Sequence, residues 1–212
     1  MELIIRNETE SDYRKVEELT REAFWNIHVP GCDEHYLVHT LRNSKQFIPE
    51  LDFVAVADGM IVGNIMYAHS SIMTYDNEKY QVITFGPISV LPSHQNLGIG
   101  SKLIEVTKKK AFEMGFTAIL IYGDPEYYSR FGFVAAEEYN IKSSSGMYAA
   151  ALQAYELYPN ALKGVSGRFY EGESYEINQN LAEEFDKTFP AKEKLVTPYQ
   201  TRFKELVRMI HE

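Results

Sequence analysis

Gln95-Asn96-Leu97-Gly98-Ile99-Gly100 stands between a β-rich run and a long helical pattern. That order of elements could hold a phosphate. The first amides of a helix lack intrahelical acceptors, point along the axis and attract anions. Gly98 and Gly100 let the backbone come close to such an anion with no Cβ in the way. The segment therefore reads as a pyrophosphate cradle. Two familiar phosphate loops do not fit it. A P-loop needs G-x-x-x-x-G-K-[ST], whereas Lys102 follows Ser101. A dinucleotide fingerprint needs a third glycine, and Leu103 occupies its place.

Other chemically able residues lack a matching pattern. His35 and His39 stand four apart, which suits metal ligation on one helix face, but H-E-x-x-H is absent and no third ligand stands out. No metal site is expected. Cys32 lies in a loop without a base motif and reads as a small hydrophobe. Lys108-Lys109-Lys110 reads as a solvated face that complements the helix C-terminal dipole.

The composition limits the partners. The chain has 212 residues, enough for one domain with a full core and an appendage. Its formal charge of −9 argues against nucleic acid, which demands a basic face, and against a polybasic membrane anchor. One cysteine excludes an internal disulfide and a four-cysteine zinc site, which fits a reduced, cytoplasmic setting. The first residues lack a signal-peptide layout, and no apolar run approaches the ~18 residues that read as a membrane span.

The elements around the cradle are legible. Leu3-Ile4-Ile5 reads as a strand, and Val16, Leu19 and Ala23 follow at helical spacing. An irregular break spans Trp25 to Asp33, and a second helix is expected over Glu34 to Asn43. Asp58-Gly59 is the best hairpin signal, joining strands at Phe53–Ala57 and from Met60 to about Ser71. Gln81 to Val90 is a strand interrupted by Gly86-Pro87, and the helix after the cradle ends at Gly115. Ala118 to Tyr122 is a continuous apolar strand expected to be buried on both faces. Two further strands are expected at Tyr148 to Tyr158 and Val165 to Tyr170. Thr197-Pro198-Tyr199-Gln200 starts a last helix, with Tyr199, Phe203, Leu206, Val207 and Ile210 on one face. The chain divides into residues 1–172 and a helical extension, 173–212, that packs on the core or on a partner such as a second copy of the chain.

The remaining phosphate-loop reading is Q/R-x-x-G-x-G/A, the loop of coenzyme A-dependent acetyltransferases. Gly86-Pro87-Ile88-Ser89-Val90-Leu91-Pro92 precedes it, and Tyr127-Tyr128-Ser129-Arg130-Phe131-Gly132-Phe133 follows the next strand. The second motif is similar to the sequence F-Y-x-K-x-G-F. Together these resemble the GNAT superfamily of N-acetyltransferases, and Gly123-Asp124-Pro125-x-Tyr127-Tyr128 resembles a bacterial branch described as predicted N-acetyltransferases. The strong resemblance covers roughly residues 82 to 134.

The resemblance implies an α/β GNAT fold: a mixed, twisted central sheet, splayed at the cofactor slot, with helices on both faces. Acetyl-CoA would be the acyl donor, its pantetheine arm pairing with the backbone of Ile88, Ser89 and Val90 beside a bulge at Gly86-Pro87. The amides of Gln95, Asn96, Leu97, Gly98, Ile99, Gly100 and Ser101 would hold the pyrophosphate. Arg130, where the family usually has Lys, would reach the phosphates or cap the short helix; Lys102 is more simply solvated. An amine would attack the thioester directly. Tyr128 aligns with the family's tyrosine that protonates the leaving thiolate, and Tyr127 is structural. Asp124 would orient the amine or act as base, or serve as a turn residue. The glutamate that some members carry before the loop is missing from Ile83-Thr84-Phe85-Gly86, so Glu34, His35 and His69 are fallback bases. The acceptor, a primary amine of a small molecule or peptide, would lie between the Trp25–His35 loop and the Pro159–Gly164 turn. An acidic chain favours a cationic amine as partner. The rival readings are a non-catalytic acyl-CoA-binding sensor, which would not need Tyr128, and an interaction module recruiting through the last helix.

Overall fold

The computed structural model describes residues 2–212. Its main sheet begins with β1 (Leu3–Asn7), which pairs antiparallel with β2 (Phe53–Ala57). The Asp58-Gly59 turn returns β2 into β3 (Met60–Thr74), a strand of 15 residues, and β3 pairs antiparallel with β4 (Lys79–Val90). Between α1 (Tyr13–Phe24) and β2 lies α2 (Glu34–Leu41). The helix α3 (Ile99–Glu113) carries the chain from β4 to β5 (Ala118–Tyr122), which is parallel to β4, as a crossover requires. A short helix, α4 (Pro125–Tyr128), follows β5.

Beyond α4 lie β6 (Val134–Ala135), β7 (Ile141–Lys142), β8 (Tyr148–Ala149), β9 (Leu152–Glu156) and β10 (Gly167–Tyr170). The strand order is β1-β2-β3-β4-β5-β9-β6, and β10 pairs with the far half of β3 and with β7. The extension holds α5 (Gln179–Asp186), α6 (Tyr199–Arg208) and β11 (Ile210–His211), which pairs with β8. No helix among the described residues is long and apolar enough to cross a membrane.

Helices cover both faces of this mixed sheet, as a GNAT architecture demands. Alternation along β3 sends Ile65 and Tyr67 to one face, where they pack with Ile99, Leu103 and Ile104 of α3. Met66 and Ala68 go to the other face, against Val16 and Leu19 of α1 and Val38 and Leu41 of α2. The run Ala118-Ile119-Leu120-Ile121 is buried throughout, as a continuous apolar strand in a two-sided sheet should be.

Several expectations need correction. The run Tyr148 to Tyr158 is two strands that pair differently: β8 with β11, extended by Ala150 N–H to Met209 O (2.9 Å), and β9 with β5 and β6. Thr197 does not cap α6 with its side chain; its hydroxyl donates to Asn26 O (2.7 Å). The apolar face of α6 is only partly covered, with Leu206 buried while Tyr199 and Val207 stay exposed, and Ile210, expected on that face, lies past the helix in β11. Lys108 is not solvated like Lys109. Its ammonium donates to Phe131 O (2.5 Å) and lies 3.5 Å from the Tyr155 ring centroid, and burial pushes its pKa down to about 8.

Candidate active site

The strands β4 and β5 share one paired position, Ile83 with Ile119. Past it they part, because β4 bulges. Ile65 pairs with Ile88 and Tyr67 with Phe85, so Gly86 and Pro87 together oppose Met66 alone. Pro87 has no N–H to give to a ladder, which suits this place. The parting opens a cleft of about 860 Å³. Ile88 and Val90 line one wall of it; Ser89 does not, since its side chain points to the opposite face and donates to Thr20 Oγ1 (3.1 Å).

One end of the cleft is the glycine-rich turn. Gly98 is the N-cap of α3 and sits in the left-handed region, at φ 79°. The first intrahelical bond there is Lys102 N–H to Gly98 O (3.0 Å), which leaves the amides of Ile99, Gly100 and Ser101 free. Gln95 Nε2 donates to Val90 O (3.1 Å) and so pins the turn to the end of β4. Gln95, Asn96, Gly98, Ile99, Gly100 and Ser101 all line the cleft, while Leu97 projects outward, 57% exposed. Arg130 faces the same end. Its guanidinium stacks over the Tyr127 ring (4.4 Å) and its Nε donates to Tyr127 O (3.1 Å). The two terminal nitrogens carry no protein partner among the described residues.

Tyr128 lines the cleft. Its ring is packed by Tyr127 (centroids 5.0 Å apart), Phe133 (5.8 Å) and Phe85 (5.9 Å). Its hydroxyl has no hydrogen-bond partner among the described residues. Burial pushes its pKa well up, so at neutral pH it is a protonated donor.

Asp124 also lines the cleft, but other groups engage its carboxylate. It caps α4 by accepting from Glu126 N–H (3.0 Å), and it accepts both Nε (2.7 Å) and a terminal nitrogen (2.9 Å) of Arg202 from α6. The Arg202 hydrogen bonds hold its pKa below the ordinary carboxylate range, which makes it a weak proton acceptor.

The cleft is also lined by Phe24, His28, Glu34 and Leu37 from α1, α2 and their connection, and by Tyr122, Glu171 and Tyr175. The expected first boundary, the Trp25–His35 loop, is therefore represented. The Pro159–Gly164 turn is not. Leu162 is buried in the core cluster around Ile72 and Phe169, and Ala161 O accepts from Tyr80, so that turn lies elsewhere. The segment after β10 takes its place. Glu171 and Tyr175 escaped the sequence reading because Tyr170-Glu171-Gly172-Glu173 resembles any polar turn.

The fallback bases fare differently. Glu34 lines the cleft, but it accepts from the Asp33 N–H (3.1 Å) and is bonded to His28 Nδ1 (2.9 Å). His35 is fully buried beside Cys32, Phe185 and Phe189, 3.1 Å from Asp186, and burial lowers its pKa. His69 lies outside the cleft, in a separate depression with Gln46 and Ser174. Cys32 is buried and its thiol pKa is pushed up, which excludes a ready nucleophile. No metal-binding group of three His, Cys, Asp or Glu exists among the described residues.

Comparison with known proteins agrees with this geometry. Residues 50–135 match the family model for an acetyltransferase (GNAT) domain, which spans β2 through the Tyr127–Phe133 motif. Residues 50–135 thus carry a GNAT acetyltransferase domain. It is 28% identical over 166 residues to YhbS of Escherichia coli K12, described as an uncharacterized N-acetyltransferase, covering 78% of this chain and 93% of YhbS. The crystal structure of E. coli YhbS in complex with CoA superposes with a TM-score of 0.72 at 27% identity, covering 82% of this chain and 91% of that one. A GNAT acetyltransferase from Brucella melitensis in complex with acetyl-CoA gives 0.66 at 26% identity, covering 82% and 99%. The GNAT domain thus carries the acetyltransferase fold with its splayed strands and glycine turn in place.

Proposed function

We propose that this GNAT domain transfers an acetyl group from acetyl-CoA to a primary amine of a small molecule or peptide, by direct attack. What supports this reading is that Tyr128 lines the same cleft as the α3 turn with its free amides, and that its hydroxyl is unpartnered among the described residues. The solved relatives from E. coli and B. melitensis bind CoA and acetyl-CoA, which supports the same donor here.

The residues divide the work. The amides of Ile99, Gly100 and Ser101, with Arg130, hold the pyrophosphate. Ile88 and Val90 flank the pantetheine arm. The amine nitrogen attacks the thioester carbonyl; the C–N bond forms and the C–S bond breaks. The thiolate takes the Tyr128 proton, and the tyrosinate recovers one from the attacking nitrogen, directly or through water. Asp124 serves as a positioning residue that ties α4, which carries Tyr128, to α6. A cysteine-linked acyl intermediate has no place, because Cys32 is buried away from the cleft.

An acetylation assay over a panel of alkyl amines, amino acids and peptides, read by mass spectrometry, tests the proposal. A mass gain of one acetyl group on an amine, dependent on acetyl-CoA and on the protein, is the expected result. Binding of acetyl-CoA with no product from any amine would favour the sensor reading.

A further inference from the structure

Three carboxylates line the cleft, and they are not equivalent. Glu34 is bonded to His28 and to a backbone N–H, and Asp124 to Arg202 and a backbone N–H. Glu171, just past β10, makes no hydrogen bond and no ion pair among the described residues. It lines the cleft with Tyr122 at the end of β5 and with Tyr175. Tyr175 donates its hydroxyl to Gly86 O (3.1 Å), in the very bulge that opens the cofactor wall. The segment bearing Glu171 is thereby tied to the strand that would carry the thioester.

A half-buried carboxylate without a partner is costly unless a ligand supplies one. No cation is bonded to Glu171 among the described residues, and the Arg202 guanidinium is taken up by Asp124. Tyr122 and Tyr175 stay protonated, their pKa values raised by burial and by the Glu171 charge. The other acidic or basic side chains on the cleft are Glu34, bonded to His28, Asp124, bonded to Arg202 of α6, and His94 and Arg130; none of them is bonded to Glu171 among the described residues. What this corner accepts is a positive charge, and the aromatic rings beside it suit an alkylammonium.

We propose that Glu171 binds the acceptor as an ammonium ion and takes its first proton, which makes the acceptor an aliphatic primary amine, cationic in solution, lodged between Glu171, Tyr122 and Tyr175. This rests on the acetyl-transfer reading and supplies the base that reading lacks. The ammonium gives one proton to the Glu171 carboxylate and becomes a neutral amine, whose lone pair forms the C–N bond. The second proton leaves the attacking nitrogen toward Tyr128 as the C–S bond breaks, and Glu171 later releases its proton to water. Burial sets Glu171 up for this, raising its carboxyl to about 7, where it is ionised enough to accept and basic enough to hold a proton.

The test is the pH dependence of kcat/KM for an alkyl amine from the panel, in the wild type, Glu171→Gln and Glu171→Asp. Wild-type kcat/KM should rise through about pH 7, as Glu171 loses its proton. Glu171→Gln should lose roughly 10²-fold at pH 7.5, and its rate should keep climbing toward the amine's own pKa of ~10.4. Glu171→Asp should restore part of the lost rate and a lower-pH limb. The acetyl-CoA dissociation constant should stay within about twofold in both variants, and melting curves should show both folded. Aniline, neutral at pH 7.5, should be acetylated with a much smaller loss in Glu171→Gln. If wild type acetylates amines and Glu171→Gln keeps the same rate and limb, the inference fails while the acetyl-transfer reading stands. If wild type acetylates no amine, both fall.

Discussion

The ring of Tyr128 lies across the α-carbon of Gly123, so close that a Cβ on Gly123 would overlap ring atoms Cδ2 and Cε2. The end of β5 can therefore hold no side chain at that position without moving the tyrosine. Gly123→Ala should push the Tyr128 ring off its place between Phe85 and Phe133, at a cost of ~1–3 kcal/mol in stability, the range for overpacking. Turnover should fall at least tenfold, while acetyl-CoA affinity, set at the α3 turn, changes little. A melting curve, calorimetric titration and rate assay on the one variant check all three.

Tyr128→Phe removes the hydroxyl and leaves the ring contacts. Acetyl-CoA should bind as before and kcat should drop severalfold or more, since the thiolate would leave without a donor. Unchanged turnover would remove Tyr128 from the chemistry and return it to the core.

Gly98 holds φ 79° at the N-cap of α3, where a β-branched residue is strained. Gly98→Val should reshape the turn that presents the Ile99, Gly100 and Ser101 amides. Binding of acetyl-CoA should disappear in calorimetry, with the fold retained by circular dichroism. Retained binding would overturn the cradle.

Asn26 is the knot between the α1–α2 connection and the extension. Its Nδ2 donates to Glu193 O (3.1 Å), and its Oδ1 accepts from Gly31 N (2.7 Å) and Leu195 N (3.0 Å). Its own carbonyl accepts from Thr197 and Gln200. At φ 62° it also occupies a conformation that asparagine tolerates better than most. Nearby, Phe203 stacks on His28 of the cleft wall, with centroids 4.6 Å apart. Asn26→Ala should cost ~2–4 kcal/mol, at about 1 kcal/mol per hydrogen bond plus backbone strain. Residues 190–212 should become sensitive to limited proteolysis, and the amine KM should rise more than the acetyl-CoA KM.

The proposed cofactor half of the site is legible in the sequence because its features are local. A glycine turn at a helix start, a Gly-Pro bulge in the strand before it and an aromatic motif after the next strand each act through neighbours a few residues away, and periodicity places the elements between them. Gly98, Gly100, Tyr128 and the helix–sheet layers follow from that. The acceptor half could not be read the same way. Glu171 and Glu34 line one cleft although they stand 137 positions apart in the chain, and Asp124 meets Arg202 from α6. Charge and turn residues at such positions look alike in a sequence. What separates a solvated carboxylate from an ion-paired one, and both from a buried one with no partner, is the desolvation and company that folding imposes. Sequence alone therefore determined the glycine turn, the bulge and the helix–sheet layers; only the tertiary structure, by pairing Asp124 and leaving Glu171 unpaired among the described residues, decided which cleft carboxylate has no partner.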